Sequence, residues 1–165
     1  AIALGSNLGD RDAHLDFAIA RLSHVLTDLR ISSRYDTAPV DVIDEQPRYL
    51  NAALVGQTML GPHALLRELQ QIEADRGRER PYLNAPRTLD VDLILYGDLT
   101  LDDETLSVPH PRFRERPFVL DPLEEIAPGM VDPVSGETVA RRLLRQVSNT
   151  LRDGIKPSSS IFCKT

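Results

Sequence analysis

Tryptophan is absent from this 165-residue chain, cysteine occurs once and lysine twice. The single cysteine, Cys163, excludes an intrachain disulfide and a cysteine-rich zinc site, and the expected setting is a reducing compartment, the cytoplasm. No apolar run is long enough to span a bilayer, and no signal-peptide pattern is present. The chain opens on Ala1 inside an apolar stretch, "AIALGS", so residues are expected to precede it. The G-x-x-x-x-G-K-[ST], G-x-G-x-x-G, G-x-S-x-G and H-E-x-x-H patterns are all missing, which sets aside P-loop, Rossmann, α/β-hydrolase and zincin chemistry. A net charge of −6 argues against a broadly basic nucleic-acid surface.

What basic charge there is comes almost entirely from arginine. Four arginines fall in "RGRERPYLNAPR" (Arg76, Arg78, Arg80, Arg87) and three in "PRFRER" (Arg112, Arg114, Arg116). The planar guanidinium fork matches phosphate oxygens, so two arginine clusters in an acidic protein point to a small polyanion held in one place. Solvated loops with scattered ion pairs would look the same on charge alone.

The apolar pattern sets the order of elements. "AIALG" reads as a strand, and Leu15, Ala18, Ile19, Leu22, Val25 and Leu26 carry helical spacing after Asp10. Residues 29–37 and 48–57 read as strands, with an acidic, proline-bearing loop between them. Gly61-Pro62 opens a second helix with its stripe at Leu65, Leu66, Leu69 and Ile72, and Gly77 closes it. A strand over 89–96 follows, with Gly97-Asp98 as a hairpin turn into "LTL", then helical turns in "RPFVLDPLEEIAP" and a last helix in "GETVARRLLRQV". The order βαββαβ predicts an α+β, ferredoxin-like core with a mostly antiparallel sheet and additional C-terminal helices. Residues 1–147 are expected to form the working domain and 148–165, with its serine run and both lysines, a tail or linker.

The stretch "NAPRTLDVDLILYG" carries the chemistry. Strand alternation puts Asp90, Asp92 and Ile94 on one face and Leu89, Val91, Leu93 and Leu95 on the other. The two carboxylates then lie roughly 6.6 Å apart, from a rise of about 3.3 Å per residue, close enough to converge on one or two cations. Magnesium takes one or two carboxylates and completes its shell with water and substrate phosphates. A D-x-D pair on a solvent face would be unremarkable. Ile94 on that face, and Arg87 entering the same strand, favour the metal site. "GSNLGD", at the first strand-to-helix turn, lies where a phosphate loop could lie, but reads more simply as a turn. Among four histidines, His110 in "SVPHP" is set apart by its nearness to Arg112–Arg116.

The blocks "ALGSNLGDR", "QPRYLNAAL", "IEADRGRER", "APRTLDVDLILYG" and "VPHPRFRERPFVLDPLEEIAP" resemble, in order, the motifs of the 6-hydroxymethyl-7,8-dihydropterin pyrophosphokinases of folate biosynthesis. The resemblance implies transfer of pyrophosphate from ATP to the pterin hydroxymethyl group, with release of AMP and two Mg2+ ions as cofactors. It implies a catalytic set of Arg80, Arg87, Asp90 and Asp92, with the two aspartates as metal ligands. It implies a pterin pocket of Thr37, Val40, Tyr49, Asn51, Asp92 and Phe118. It implies ATP contacts from Gln70, Glu73, Arg78, Arg80, Arg87, Leu93, Ser107, His110 and Arg116. Partners would be ATP and a reduced pterin, with no nucleic acid or membrane, in a monomer or one part of a longer folate-pathway chain.

Departures from the family lie at Leu83 and Asn84, where relatives carry arginine and tryptophan, and at Pro111, where some have tyrosine. Arg112 and Arg114 match no family site residue and are expected to be near neutral on substitution. Two other readings fit the same features: another Mg-dependent nucleotidyltransferase, which would release pyrophosphate, or a non-enzymatic nucleotide-binding module on the same fold.

Overall fold

A computed structural model describes residues 1–40, 46–77 and 86–152. Strand β1 (Ile2–Ser6) leads into helix α1 (Arg11–Leu22), whose first turn is capped by the Asp10 carboxylate accepting from the Ala13 N–H at 3.0 Å. Strands β2 (Thr27–Ile31), β3 (Tyr35–Thr37) and β4 (Tyr49–Gln57) follow, then α2 (Pro62–Asp75) and β5 (Asp90–Leu93). The strand order is β2-β4-β1-β5 with β3 also on β4, and every pairing is antiparallel. Sequence order βαβ(β)βαβ with the last strand beside the first is the ferredoxin-like arrangement expected from the sequence. A small hairpin, β6 (Leu101–Asp102) with β7 (Ser107–Val108), a 3-10 turn at Phe113–Glu115, and helices α3 (Pro117–Ile126) and α4 (Val139–Arg152) complete the described chain.

The two faces of the sheet meet different partners because side chains alternate along each strand. Ile2, Leu4, Leu50, Ala52, Leu54, Val91 and Leu93 pack with Leu15, Leu22, Leu65, Leu69 and Ile72 of α1 and α2. On the other face Ala3, Ala53 and Val55 pack with Phe113, Val119, Leu120 and Leu123, beneath α3. That second face is apolar only along part of its length. Toward the start of β4 it carries Tyr49 and Asn51, beside Gly5 of β1 and Asp90 of β5, and this polar stretch is the floor of the candidate site.

Four elements differ from the sequence reading. The strand over 29–37 is two short strands, because Ser32 is buried and its side chain enters the ladder: Ser32 Oγ accepts from the Ala53 N–H at 2.9 Å and donates to Ser33 O at 2.7 Å. Strand β5 stops at Leu93, since the N–H groups of Ile94 and Leu95 both turn to Ala1 O. "LTL" does not return along β5; Leu101 pairs with Val108 instead. Helix α4 runs to Arg152, five residues past the expected domain end at 147, and most of the expected tail lies outside the described residues.

Candidate active site

Strand β5 places Asp90 opposite Gly5 and Asp92 opposite Ala3 of β1, so both carboxylates stand on the face away from α1 and α2. The next strand over, β4, brings Asn51 opposite the same Gly5. Glycine is needed here for space. A Cβ on Gly5 would stand 3.2 Å from Asn51 Oδ1, 3.8 Å from Asp90 Cβ and 3.9 Å from Tyr49 Cδ1. Three residues predicted for the site thus converge over one missing side chain. Asn51 is buried, and its Nδ2 donates to Thr37 Oγ1 at 2.8 Å, which fixes the amide orientation and leaves Oδ1 toward Gly5.

Arg87 borders this floor. Its Nη1 lies 2.9 Å from Asp90 Oδ2. Burial works against its charge, but Asp90 and the hydroxyl of Tyr49 outweigh that and hold the guanidinium pKa above its ordinary value. Arg87 therefore interacts with both Asp90 and Tyr49.

Arg116 and His110 approach from the other side. Arg116 stacks on Phe118 with 5.6 Å between guanidinium carbon and ring centroid, a cation–π contact that holds the ring at the start of α3. Burial, with Arg112, lowers the Arg116 pKa, while Asp92 and Asp90 oppose the shift. The His110 N–H donates to Ile94 O at 2.9 Å, which hangs this loop on the end of β5. Burial, with Arg116, lowers the imidazole pKa, partly offset by Asp90. The His110 Nδ1 accepts from the Arg112 N–H at 3.2 Å, which in the neutral ring puts the proton on Nε2, an N–H donor for an anion.

Glu73 is not a helix-surface charge. It is buried, and its Oε1 accepts from the Val91 N–H at 2.7 Å along the open edge of β5. Backbone groups alternate along an antiparallel strand, so the N–H and C=O of Leu93 point toward that same open edge. The Leu93 side chain itself is packed in the core against α1 and α2, so only its main chain can meet a ligand. Gln70 lies exposed one turn before Glu73. Ser107 lies on β7, its Oγ donating to Asp102 Oδ1. Val40 is exposed at 55% and joins none of these contacts. Arg78 and Arg80, with the departures at Leu83 and Asn84, lie outside the described residues.

Within the second arginine cluster, Arg114 makes a structural contact: it binds the buried Asp132 carboxylate through two N–H groups at 2.6 and 2.7 Å. Its carbonyl accepts from Gln146 Nε2 at 2.7 Å, tying α4 to the 3-10 turn. Arg112 is exposed, and its charge acts after burial in lowering the pKa values of both His110 and Arg116. Sequence reasoning missed Gly5, read as a turn glycine, and Asn7, whose bonds are described below.

A sequence profile of the 7,8-dihydro-6-hydroxymethylpterin-pyrophosphokinase (HPPK) family matches residues 1–128. The chain belongs to this family. It is 46% identical over 127 residues to the 2-amino-4-hydroxy-6-hydroxymethyldihydropteridine pyrophosphokinase of Bacillus subtilis, covering 76% of this chain and 75% of that one. It is 44% identical over 140 residues to the mitochondrial folate synthesis bifunctional protein of Arabidopsis thaliana, covering 84% of this chain. It spans only 24% of that bifunctional relative's length. Among solved structures, wild-type Plasmodium falciparum HPPK-DHPS with STZ-DHP superposes with a TM-score of 0.74 at 14% identity, over 96% of this chain and 45% of that one, a likeness of fold alone. An HPPK chain is thus found both as a separate protein and as one part of a longer one. Among the described residues no three His, Cys, Asp or Glu side chains converge as metal ligands. Asp90 and Asp92 are a pair, a donor set that suits a cation whose remaining ligands come from phosphate and water.

Proposed function

We propose that this chain transfers the pyrophosphoryl group of ATP to the hydroxymethyl oxygen of 6-hydroxymethyl-7,8-dihydropterin, releasing AMP, with Asp90 and Asp92 holding Mg2+ against the phosphates. The observation that carries this is the convergence of an amide, Asn51, and a carboxylate, Asp90, over Gly5, with Asp92 two residues along β5 on the same face, opposite Ala3. An amide whose orientation is fixed by Thr37 reads the donor and acceptor edge of a planar heterocycle, and Tyr49 and Phe118 offer aromatic faces. The carboxylate pair fits one or two magnesium ions, which when bound neutralise phosphate charge.

The remaining work falls to the chain's own groups. The pterin hydroxyl oxygen bonds to the β-phosphorus and gives up its proton to solvent while the bond from that phosphorus to the α–β bridging oxygen breaks, and AMP leaves with that oxygen. Arg87 and Arg116 stabilise charge as it spreads over the phosphate oxygens, and the neutral His110 donates a hydrogen bond from Nε2. Glu73 holds β5, and with it Asp90 and Asp92, through the Val91 N–H. Arg78 and Arg80 act on the nucleotide in this reading, as the resemblance implies.

The test is direct. Incubate the protein with ATP, Mg2+ and 6-hydroxymethyl-7,8-dihydropterin and separate the nucleotides. AMP formed only when the pterin is present supports the proposal. Release of inorganic pyrophosphate with a nucleotidylated product would replace it with nucleotidyl transfer.

A further inference from the structure

Asn7 follows β1 directly and is 1% exposed, and its main-chain N–H and both ends of its side-chain amide are hydrogen-bonded. Its main-chain N–H donates to Arg87 O at 3.2 Å, and its Oδ1 accepts from the Arg87 N–H at 2.8 Å. The two residues therefore exchange hydrogen bonds as paired strand residues do, with a side-chain oxygen standing in for one carbonyl. The Nδ2 group points the other way. It donates to Gln46 Oε1 at 3.3 Å and to Pro47 O at 3.4 Å. One buried amide thus joins two segments far apart in sequence, at separations of 80 and 39 residues.

Both segments lead directly into the site. From Pro47 the chain runs through Arg48 to Tyr49, the aromatic wall. Arg48 is itself fastened, because its carbonyl accepts from Arg11 Nη1 at 2.9 Å and its side chain pairs with Asp36. Arg87 carries the guanidinium that reaches Asp90 Oδ2 at 2.9 Å. Asn7 stands between the pterin wall and the phosphate wall without touching the place where either substrate would sit.

We propose that Asn7 is a positioning residue that couples the two halves of the site, its Oδ1 setting Arg87 for the phosphates and its Nδ2 setting residues 46–49 for the pterin. The inference rests on the pyrophosphokinase reading above. Because the two arms use opposite ends of one amide, they can be separated chemically. Asn7→Asp keeps an acceptor for the Arg87 N–H but loses both donors, and places a carboxylate oxygen against Gln46 Oε1 and Pro47 O. Asn7→Ala loses both arms. The main-chain bond from residue 7 to Arg87 O survives in each.

A residue that only supported the fold would lower the melting temperature of both variants and leave the balance of kinetic constants alone. The coupling role predicts a split. Asn7→Asp should raise the KM for the pterin about tenfold while the KM for ATP stays within about twofold, the scale of one unmade buried hydrogen bond. Asn7→Ala should in addition lower kcat by about 10²-fold, because a small displacement of Arg87 misaligns a group that acts in the transition state. Steady-state AMP formation by wild type and both variants, with melting curves to confirm folding, measures this. A folded Asn7→Asp variant with both KM values unchanged, or with the two raised equally, overturns the inference while leaving the reaction intact. A wild-type protein that makes no AMP overturns the reaction itself, and this role with it.

Discussion

Replacing Gly5 by alanine adds one methyl group where three site residues meet. Its carbon would stand 3.2 Å from Asn51 Oδ1, inside ordinary carbon–oxygen contact, so the amide must move by a few tenths of an ångström. Asn51 does not move freely, because its Nδ2 is held by Thr37 Oγ1 at 2.8 Å and the residue is buried. The contacts with Asp90 Cβ at 3.8 Å and Tyr49 Cδ1 at 3.9 Å are ordinary ones, so the carboxylate and the ring stay in place. Overpacking of this kind costs typically 1–3 kcal/mol. That corresponds to a pterin affinity lower by roughly 5- to 150-fold, at about 1.4 kcal/mol per factor of ten. The loss should fall on the pterin, and nucleotide affinity should change by no more than about twofold, the scale of surface changes below 0.5 kcal/mol. Calorimetric titration of Gly5→Ala with hydroxymethyl-dihydropterin, and separately with a non-hydrolysable ATP analogue and Mg2+, distinguishes the two. An unchanged pterin dissociation constant in a folded variant would refute the assignment of this floor to the pterin.

Other substitutions test the remaining parts. Asp90→Ala and Asp92→Ala should each reduce AMP formation by at least ~10²-fold while the protein stays folded, the scale for losing a preorganised electrostatic element; an active Asp92→Ala enzyme would sink the metal assignment. Arg114→Ala should leave turnover at 25 °C nearly unchanged but destabilise by about 3 kcal/mol, because it strands the buried Asp132 carboxylate with only Ser135 and the Val134 N–H for support. For a chain of this size that is a melting temperature lower by about 6–12 °C; equal melting curves would contradict it. The same pair sets an acid limit. Burial pushes the Asp132 carboxyl up, but Arg114, Ser135 and the Val134 N–H hold it down at about 2, below its ordinary 3.8. A depressed carboxylate contributes stability above the unfolded pKa that is lost as pH falls through the folded one, here about 2 kcal/mol lost between pH 4 and 2. Urea unfolding across that window should show the loss in wild type and a much smaller one in Arg114→Ala.

The parts of this molecule that were legible in the sequence are those whose cause is local. Helix α1 announces itself through an apolar stripe and the capping carboxylate of Asp10, and both lie within one segment. Asp90 and Asp92 stand out because a carboxylate on every second position of an otherwise apolar strand contradicts the strand's own pattern. Strand β5 ended early, and the strand over 29–37 broke in two, for reasons the local pattern does not contain: one turns on Ala1 O, more than ninety residues away, the other on Ala53.

Glu73, Arg114 and Asn7 show the same limit at single residues. Each is a polar side chain in a setting where exposed polar residues are common, on a helix, in a charged loop and at a turn. What separates them from their solvated neighbours is one distant partner: the Val91 N–H, Asp132 and Arg87 respectively. A buried polar group must be satisfied, so each such partner is required by burial, yet burial is decided by the whole fold. The arginine cluster illustrates the consequence. Arg114 and Arg116 are two residues apart, with the same side chain and the same local charge. One turns to Asp132 and holds the fold, while the other turns to Phe118 and feels the charges of Asp92 and Asp90. Their division of labour follows from the 3-10 turn at Phe113–Glu115, which carries the chain from one side to the other between them.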